Sequence, residues 1–116
     1  REVGQLGPLV EWLIEEWDAE RARSSDTSGA FKATSLQSWR DLSNDTFGFA
    51  LRNNRYCRQK GRSHKSNGVY LVADLRRGVF RQHCFDSECR GCSEAHDIPP
   101  EVLETRRRRG DAVLGC

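Results

Sequence analysis

The sequence contains no methionine and only three prolines, and its apolar residues are few and scattered. No stretch approaches the roughly 18 consecutive apolar residues that a membrane-spanning helix requires, and no membrane partner is expected. No positively charged, then apolar, leader is visible. Lacking methionine and opening on Arg1, the chain is expected to be an excised piece of a longer polypeptide. Hydrophobic residues make up 36% and charged residues 31%. The first is below and the second above the usual share. Such a chain buries a modest core and gains from an added clamp. Catalytic signatures are missing as well. There is no glycine-rich phosphate loop, no Ser-His-Asp arrangement, and no His-x-Glu of a zinc deaminase or nuclease. Asp18 and Glu20 resemble the x-separated acids of metal-dependent polymerases. On a helix, positions two apart diverge by about 200°, so they cannot chelate one ion. No catalytic residue is assigned, and the chain is not expected to be an enzyme by itself.

What is present is unevenly distributed. Residues 1–50 carry five basic and nine acidic side chains, a balance of −4, whereas residues 51–116 carry fourteen basic and eight acidic, a balance of +6. Between Arg52 and Lys65 six basic residues occur with no acid, a field that favours an anionic partner. Four of the five cysteines and two of the three histidines fall between Arg55 and Cys92.

The secondary-structure signals place these residues in an α+β module. From about Pro8 to Arg23, Leu6, Val10, Leu13, Ile14 and Trp17 recur at helical spacing, with Pro8 suited to the first turn and Glu15, Glu16 and Glu20 facing away. Ser24 to Ala30 reads as a loop, and Leu36 to Leu42 as a short helix or strand. Phe47, Phe49 and Leu51 alternate like a strand. The segment 69–84 is a β-hairpin: Val69, Leu71, Ala73 and Leu75 alternate, Asp74 to Gly78 turns, and Val79 to Cys84 returns. A last helix is expected to begin near Pro100. The organisation is therefore a helical N-terminal part (1–52), a zinc-binding hairpin region (53–97) and a C-terminal helix or tail (98–116).

The soft ligands follow the pattern Cys57-x6-His64-x19-Cys84-x4-Cys89. Three thiols and one imidazole form a tetrahedral zinc set, and zinc suits thiolates without further geometric demands. A hairpin turn centred between Arg76 and Arg77 sets position 64 opposite position 89. Antiparallel pairing then gathers the ligands at one end, with Cys57 returning through the short 58–63 loop. Rival ligands exist. Cys92 stands three residues beyond Cys89, His96 is within reach, and His83 adjoins Cys84 but points to the opposite face. A disulfide framework is disfavoured by the odd cysteine count and the absence of a secretory signature. Four protein ligands close the coordination shell, so the zinc is expected to be structural.

Around these ligands, Arg52, Arg55, Arg58, Lys60, Arg62 and Lys65 can meet phosphates, Ser66 and Asn67 add neutral donors, and Tyr56 is expected in the core. Arg76 and Arg77 read as an ordinary solvated turn. The run Arg106 to Arg109 wraps all round a helix and points to no single partner.

The segment "RYCRQKGRSHKSNGVYLVADLRRGVFRQHCFDSECRG" resembles the zinc-binding domain of the eukaryotic primase-polymerase (PrimPol) family. It is similar, too, to the related zinc region of herpesvirus-type primase subunits. The residues that carry the likeness are Arg55, Cys57, His64, Lys65, Ser66, Asn67, Asp74, Leu75, Cys84, Asp86, Cys89 and Arg90, within a close match of about 40 residues from Asn53 to Gly91. Cys92, His96 and the arginine run lie outside the pattern. The resemblance implies Cys57, His64, Cys84 and Cys89 as ligands of a structural Zn2+. Arg55, Arg62, Lys65 and Asn67 become the candidates for contacting single-stranded DNA and the 5′ triphosphate of an initiating nucleotide. It implies a primase catalytic core in the same polypeptide, outside this segment, that alone uses Mg2+ or Mn2+. Replication proteins become further candidate partners, and the expected location is intracellular, in the nucleus or mitochondrion.

Overall fold

The computed structural model describes residues 4–24, 32–64, 67–86, 89 and 93–103. Helix α1 runs Gly7–Arg23, preceded by one 3-10 turn and with Pro8 in its first turn. Its inward stripe is Leu9, Val10, Leu13 and Trp17, with Leu6 just ahead of it; Ile14 packs only partly. Strands follow as β1 (Ser35–Asp41), β2 (Thr46–Arg52), β3 (Tyr56–Cys57), β4 (Arg62–Ser63), β5 (Val69–Asp74), β6 (Val79–Cys84) and β7 (His96–Asp97). One antiparallel sheet has the order β1-β2-β5-β6-β7, and β3 pairs with β4 in a separate ribbon. A single helical turn at 100–103 marks the C-terminal helix, and the remainder of that expected element lies outside the described residues.

The fold is the expected α+β arrangement, with one change in its first part. Among the described residues of 1–52, α1 is the one regular helix. The segment 35–52 is two paired strands, Trp39 opposite Phe49 and Asp41 opposite Phe47. In β2 the alternation of Phe47, Phe49 and Leu51 decides for strand: their side chains are buried while the residues between them are half-exposed.

The central hairpin has the register that a turn centred between Arg76 and Arg77 requires, with Tyr70 opposite His83 and Val69 opposite Cys84. The turn is set by Asp74, whose carboxylate accepts the backbone N–H groups of Arg76 and Arg77 at 3.1 and 3.2 Å. Gly78 closes it at φ +70°, a conformation that side-chain-bearing residues rarely adopt.

One sheet face, with Phe49, Leu51, Leu71, Ala73 and Phe80, packs on α1 and supplies most of the core. Trp17 is fully buried there, edge-on to Phe80 with ring centroids 6.2 Å apart. The C-terminal half of α1 is fastened to the chain entering β3 by polar bonds. The Trp17 indole N–H donates to the Tyr56 carbonyl at 3.0 Å. Asn54 donates to the Asp18 carboxylate at 2.8 Å and accepts the Tyr56 N–H at 3.0 Å. Arg21 donates to the Asn53 carbonyl at 3.0 Å. Asp18, unsuited to chelation with Glu20, thus anchors the segment that delivers Cys57.

Candidate metal centre

Cys57 ends β3, His64 follows β4, Cys84 ends β6, and Cys89 follows beyond it. The ribbon pairs Tyr56 with Ser63 and Cys57 with Arg62, which folds the 58–61 loop back on itself. One potential ligand atom from each of Cys57, His64, Cys84 and Cys89 lies within 4.8 Å of all the others. Cys57 and His64 are buried; Cys84 and Cys89 are half-buried. This quartet can hold a metal ion.

The donor set fits zinc. A tetrahedron with Zn–S bonds near 2.3 Å has S···S edges of about 3.8 Å. The Sγ of Cys57 lies 3.3 Å from that of Cys84 and 3.9 Å from that of Cys89, and His64 Nε2 lies 3.9 Å from Cys89 Sγ. The outer contacts fit as well. His64 turns Nδ1 toward the Asp86 carboxylate at 3.3 Å, which leaves Nε2 for the ion. A carboxylate behind a histidine in this way fixes the tautomer and strengthens the ligand. Lys60 sits 3.4 Å from the same carboxylate. The Lys60 backbone N–H faces Cys57 Sγ at 3.4 Å, and the Gln82 amide donates to Cys84 Sγ at 2.9 Å. Donors aimed at sulfur stabilise thiolates rather than thiols.

Protonation follows from this burial. Without an ion, desolvation pushes the Cys84 and Cys89 thiols up, reinforced by the hydrogen bond each makes with Cys57. His64 is pushed below its ordinary value, first by burial and then by the Lys60 charge, while Asp86 pulls the other way. The imidazole is therefore neutral near pH 7, the form that binds metal.

The two histidine rivals are accounted for elsewhere in the fold. His83 lies on the opposite sheet face, stacked on Tyr70 with ring centroids 5.0 Å apart. His96 stacks on Phe80 at 4.9 Å and meets the Trp17 edge at 5.8 Å, so it serves the core. Cys92 lies outside the described residues. Sequence reasoning missed Gln82, which is fully buried, holds Cys84, and accepts the Arg58 N–H at 3.0 Å. The signal was available: Phe80, Gln82 and Cys84 alternate inward, and a glutamine at such a position requires polar partners.

The basic loop is less open than its composition suggests. Arg58 pairs with Glu20 at 3.2 Å and Glu94 at 3.1 Å. Glu20, expected to face away, instead turns toward the loop, because α1 ends beside β3. Arg55 is exposed but spends its Nε on the His64 carbonyl at 3.1 Å, bracing the ligand loop. Arg62 and Asn67 are exposed, and Arg62 has no ion pair among the described residues. Lys65 lies outside the described residues.

Replacing Asp86 by Ala tests the outer contacts. Zinc affinity is expected to fall about 10- to 100-fold, read by competition with a chromogenic chelator, with the stoichiometry unchanged. An unaltered affinity would mean that Asp86 does not orient the imidazole.

Comparison with known proteins bears on the same segment. Residues 43–98 match the family model for Herpesviridae UL52/UL70 DNA primase. The chain is similar to the DNA-directed primase/polymerase protein of Danio rerio, 41% identical over 51 residues, covering 41% of this chain and 10% of the relative. The human protein of the same name is 37% identical over 51 residues, covering 41% and 9%, and the Gallus gallus protein is 42% identical over 36 residues, covering 31% and 6%. The chain thus matches only about a tenth of the length of these curated relatives or less. No solved structure matches it significantly. Among the described residues no helix is long and apolar enough to cross a membrane.

Proposed function

We propose that this chain is a zinc-organised module of a DNA primase-polymerase that holds single-stranded template DNA and the 5′ triphosphate of the initiating nucleotide. One observation carries the reading. The four-ligand cluster lies wholly within the segment similar to DNA primases, and a basic loop is folded against it. Cys57, His64, Cys84 and Cys89 would hold Zn2+, whose contribution when bound is to cross-link four points of the chain without offering an open coordination position.

The chain's own residues then act by placement. Arg62 on β4 and Asn67 ahead of β5 present a charge and an amide donor beside the cluster, and Lys65 lies between them in sequence. Arg55 holds the His64 carbonyl while its outer nitrogens stay available for phosphate. Primer initiation joins two nucleotides that otherwise dissociate quickly. A module that grips the first raises its effective concentration at a catalytic core elsewhere in the polypeptide. The core, with its Mg2+ or Mn2+, performs nucleotidyl transfer, and the module supports primer synthesis, replication restart and damage tolerance in the nucleus or mitochondrion.

A second reading is a zinc module that docks replication proteins. It is favoured by the ion pairs of Arg58 and Lys60, which remove two cations from phosphate binding. Salt dependence separates the two. Binding of single-stranded DNA is expected to weaken steeply with ionic strength, with a logarithmic slope of about −0.7 per phosphate contacted. Arg62→Glu is expected to lower affinity about tenfold or more in low salt. Affinity that ignores both salt and Arg62→Glu would favour protein docking.

A further inference from the structure

The sheet face turned away from α1 is laid out in cross-strand rows. Residues directly opposite on antiparallel neighbours share a face. One row therefore runs Arg40, Gly48, Val72, Arg81, and the next runs Ser38, Ala50, Tyr70, His83. The middle of the face is floored by small or apolar side chains and forms an open groove of about 590 Å³. Gly48 is not demanded by the backbone. It lacks a positive φ, and a Cβ there would meet only Leu42, at an ordinary 3.6 Å.

One side of the groove is aromatic. Tyr70 lies between His83, stacked on it at 5.0 Å and 13°, and Phe85, tilted against it at 4.8 Å. Phe85 is 60% exposed and Leu42 46%, and these exposed large apolar side chains both line this groove. Phe85 is held in place, its N–H donating to the Gly68 carbonyl at 3.1 Å. Two guanidiniums flank the floor. Arg40 on β1 and Arg81 on β6 are exposed and have no ion pair among the described residues. The carboxylates of this face, Asp74 and Asp97, sit in the register row beside the hairpin turn, where Asp74 is engaged by Arg76 and Arg77.

We infer that this outer face is a stacking platform for the unpaired bases of single-stranded DNA, with Phe85, Tyr70 and His83 as the aromatic wall and Arg40 and Arg81 meeting backbone phosphates. The inference rests on the proposed DNA-binding reading and assigns it a second, base-contacting subsite. A polyanion with exposed π-faces satisfies both features of the surface. A second copy of this chain would set Arg40 and Arg81 against their own like charges. The platform meets the chain just beyond the cluster, where Phe85 bonds Gly68, the neighbour of Asn67. A strand leaving Arg62 and Asn67 can continue onto it.

The test uses the metal-loaded chain and two probes of equal length and phosphate count, oligo(dT) and a fully abasic oligomer. Oligo(dT) is expected to bind more tightly at the same salt. Phe85→Ala is expected to weaken oligo(dT) about tenfold and leave the abasic oligomer unaffected, whereas Arg62→Glu weakens both alike. Because Phe85 is exposed, its removal should leave metal content and melting unchanged, and the same samples check this. Ultraviolet crosslinking of thiolated thymidine is expected to mark the peptide containing Tyr70. Equal affinity for the two probes, unmoved by Phe85→Ala but reduced by Arg62→Glu, overturns the platform and keeps the phosphate reading. Failure of both probes to bind in low salt overturns both. A dimer that Phe85→Ala dissociates, with oligo(dT) affinity unchanged, gives the face to a second copy and likewise overturns the platform.

Discussion

Stripping the metal with a strong chelator is expected to collapse the cluster side of the domain and to lower its melting temperature by roughly 20 °C or more. The four ligands join β3, the loop before β5, the end of β6 and the loop beyond it. The packing around them is polar. Asn54, Ser63, Gln82 and Ser93 are buried there, and residues 58–61 are exposed. Structural zinc contributes about 10–16 kcal/mol in small modules, as much as the entire stability of an ordinary domain. The apolar core against α1 reaches the ligand segments only through Tyr56 and the partly buried Cys84, so it replaces little of that. Cleavage sites should therefore open first in segments 53–64 and 84–96, detected by limited proteolysis. Cys84→Ala should lower bound zinc and reproduce the same cleavage pattern. The sign of the pH effect follows from the protons. Each buried thiol must lose one to bind, while His64, already depressed, has none to lose near neutrality. Zinc affinity should thus rise with pH, and calorimetry in buffers of different ionisation enthalpy should show protons released. Native melting and intact zinc content in excess chelator would refute the assigned ligand set.

The elements that could be read from the sequence are those whose cause is local. Helix α1 shows its stripe because successive turns meet the same sheet face. The hairpin shows its register because Asp74 and Gly78 permit one tight turn, and that register alone brings Val69 opposite Cys84. Strand β1 was ambiguous between helix and strand for a physical reason. It is a sheet edge with mostly exposed side chains and an irregular step between Leu36 and Ser38, so no clean alternation was imposed on it. The two-residue strands β3, β4 and β7 exist only through their tertiary partners and leave no periodic trace. The cluster that could hold a metal was legible because few chemistries use three cysteines and a histidine at such spacing. Their environment was not. That Arg58 reaches Glu20 and Glu94, and that Lys60 reaches Asp86, depends on α1 and the 93–97 segment converging on one loop.

The other large effect concerns Trp17, which joins the two halves of the structure. Trp17→Ala is expected to cost about 3–5 kcal/mol through the cavity it leaves, a large share of the stability of a small domain. The ring is fully buried among Phe80, Tyr56 and His96. Its indole N–H holds the Tyr56 carbonyl, one residue before the ligand Cys57. Trp17→Phe separates these two roles. It keeps much of the aromatic packing but orphans the Tyr56 carbonyl, a loss of about 1–3 kcal/mol. Urea melts of the zinc-loaded variants should rank wild type, Trp17→Phe and Trp17→Ala in that order. Zinc affinity of Trp17→Phe should also fall several-fold, because the strand that presents Cys57 loses its tie to the helix. If Trp17→Phe melted lower but bound zinc as tightly as wild type, packing and metal site would be independent. The polar bonds from Trp17 and Asn54 would then hold the fold alone, with no share in setting the ligand geometry.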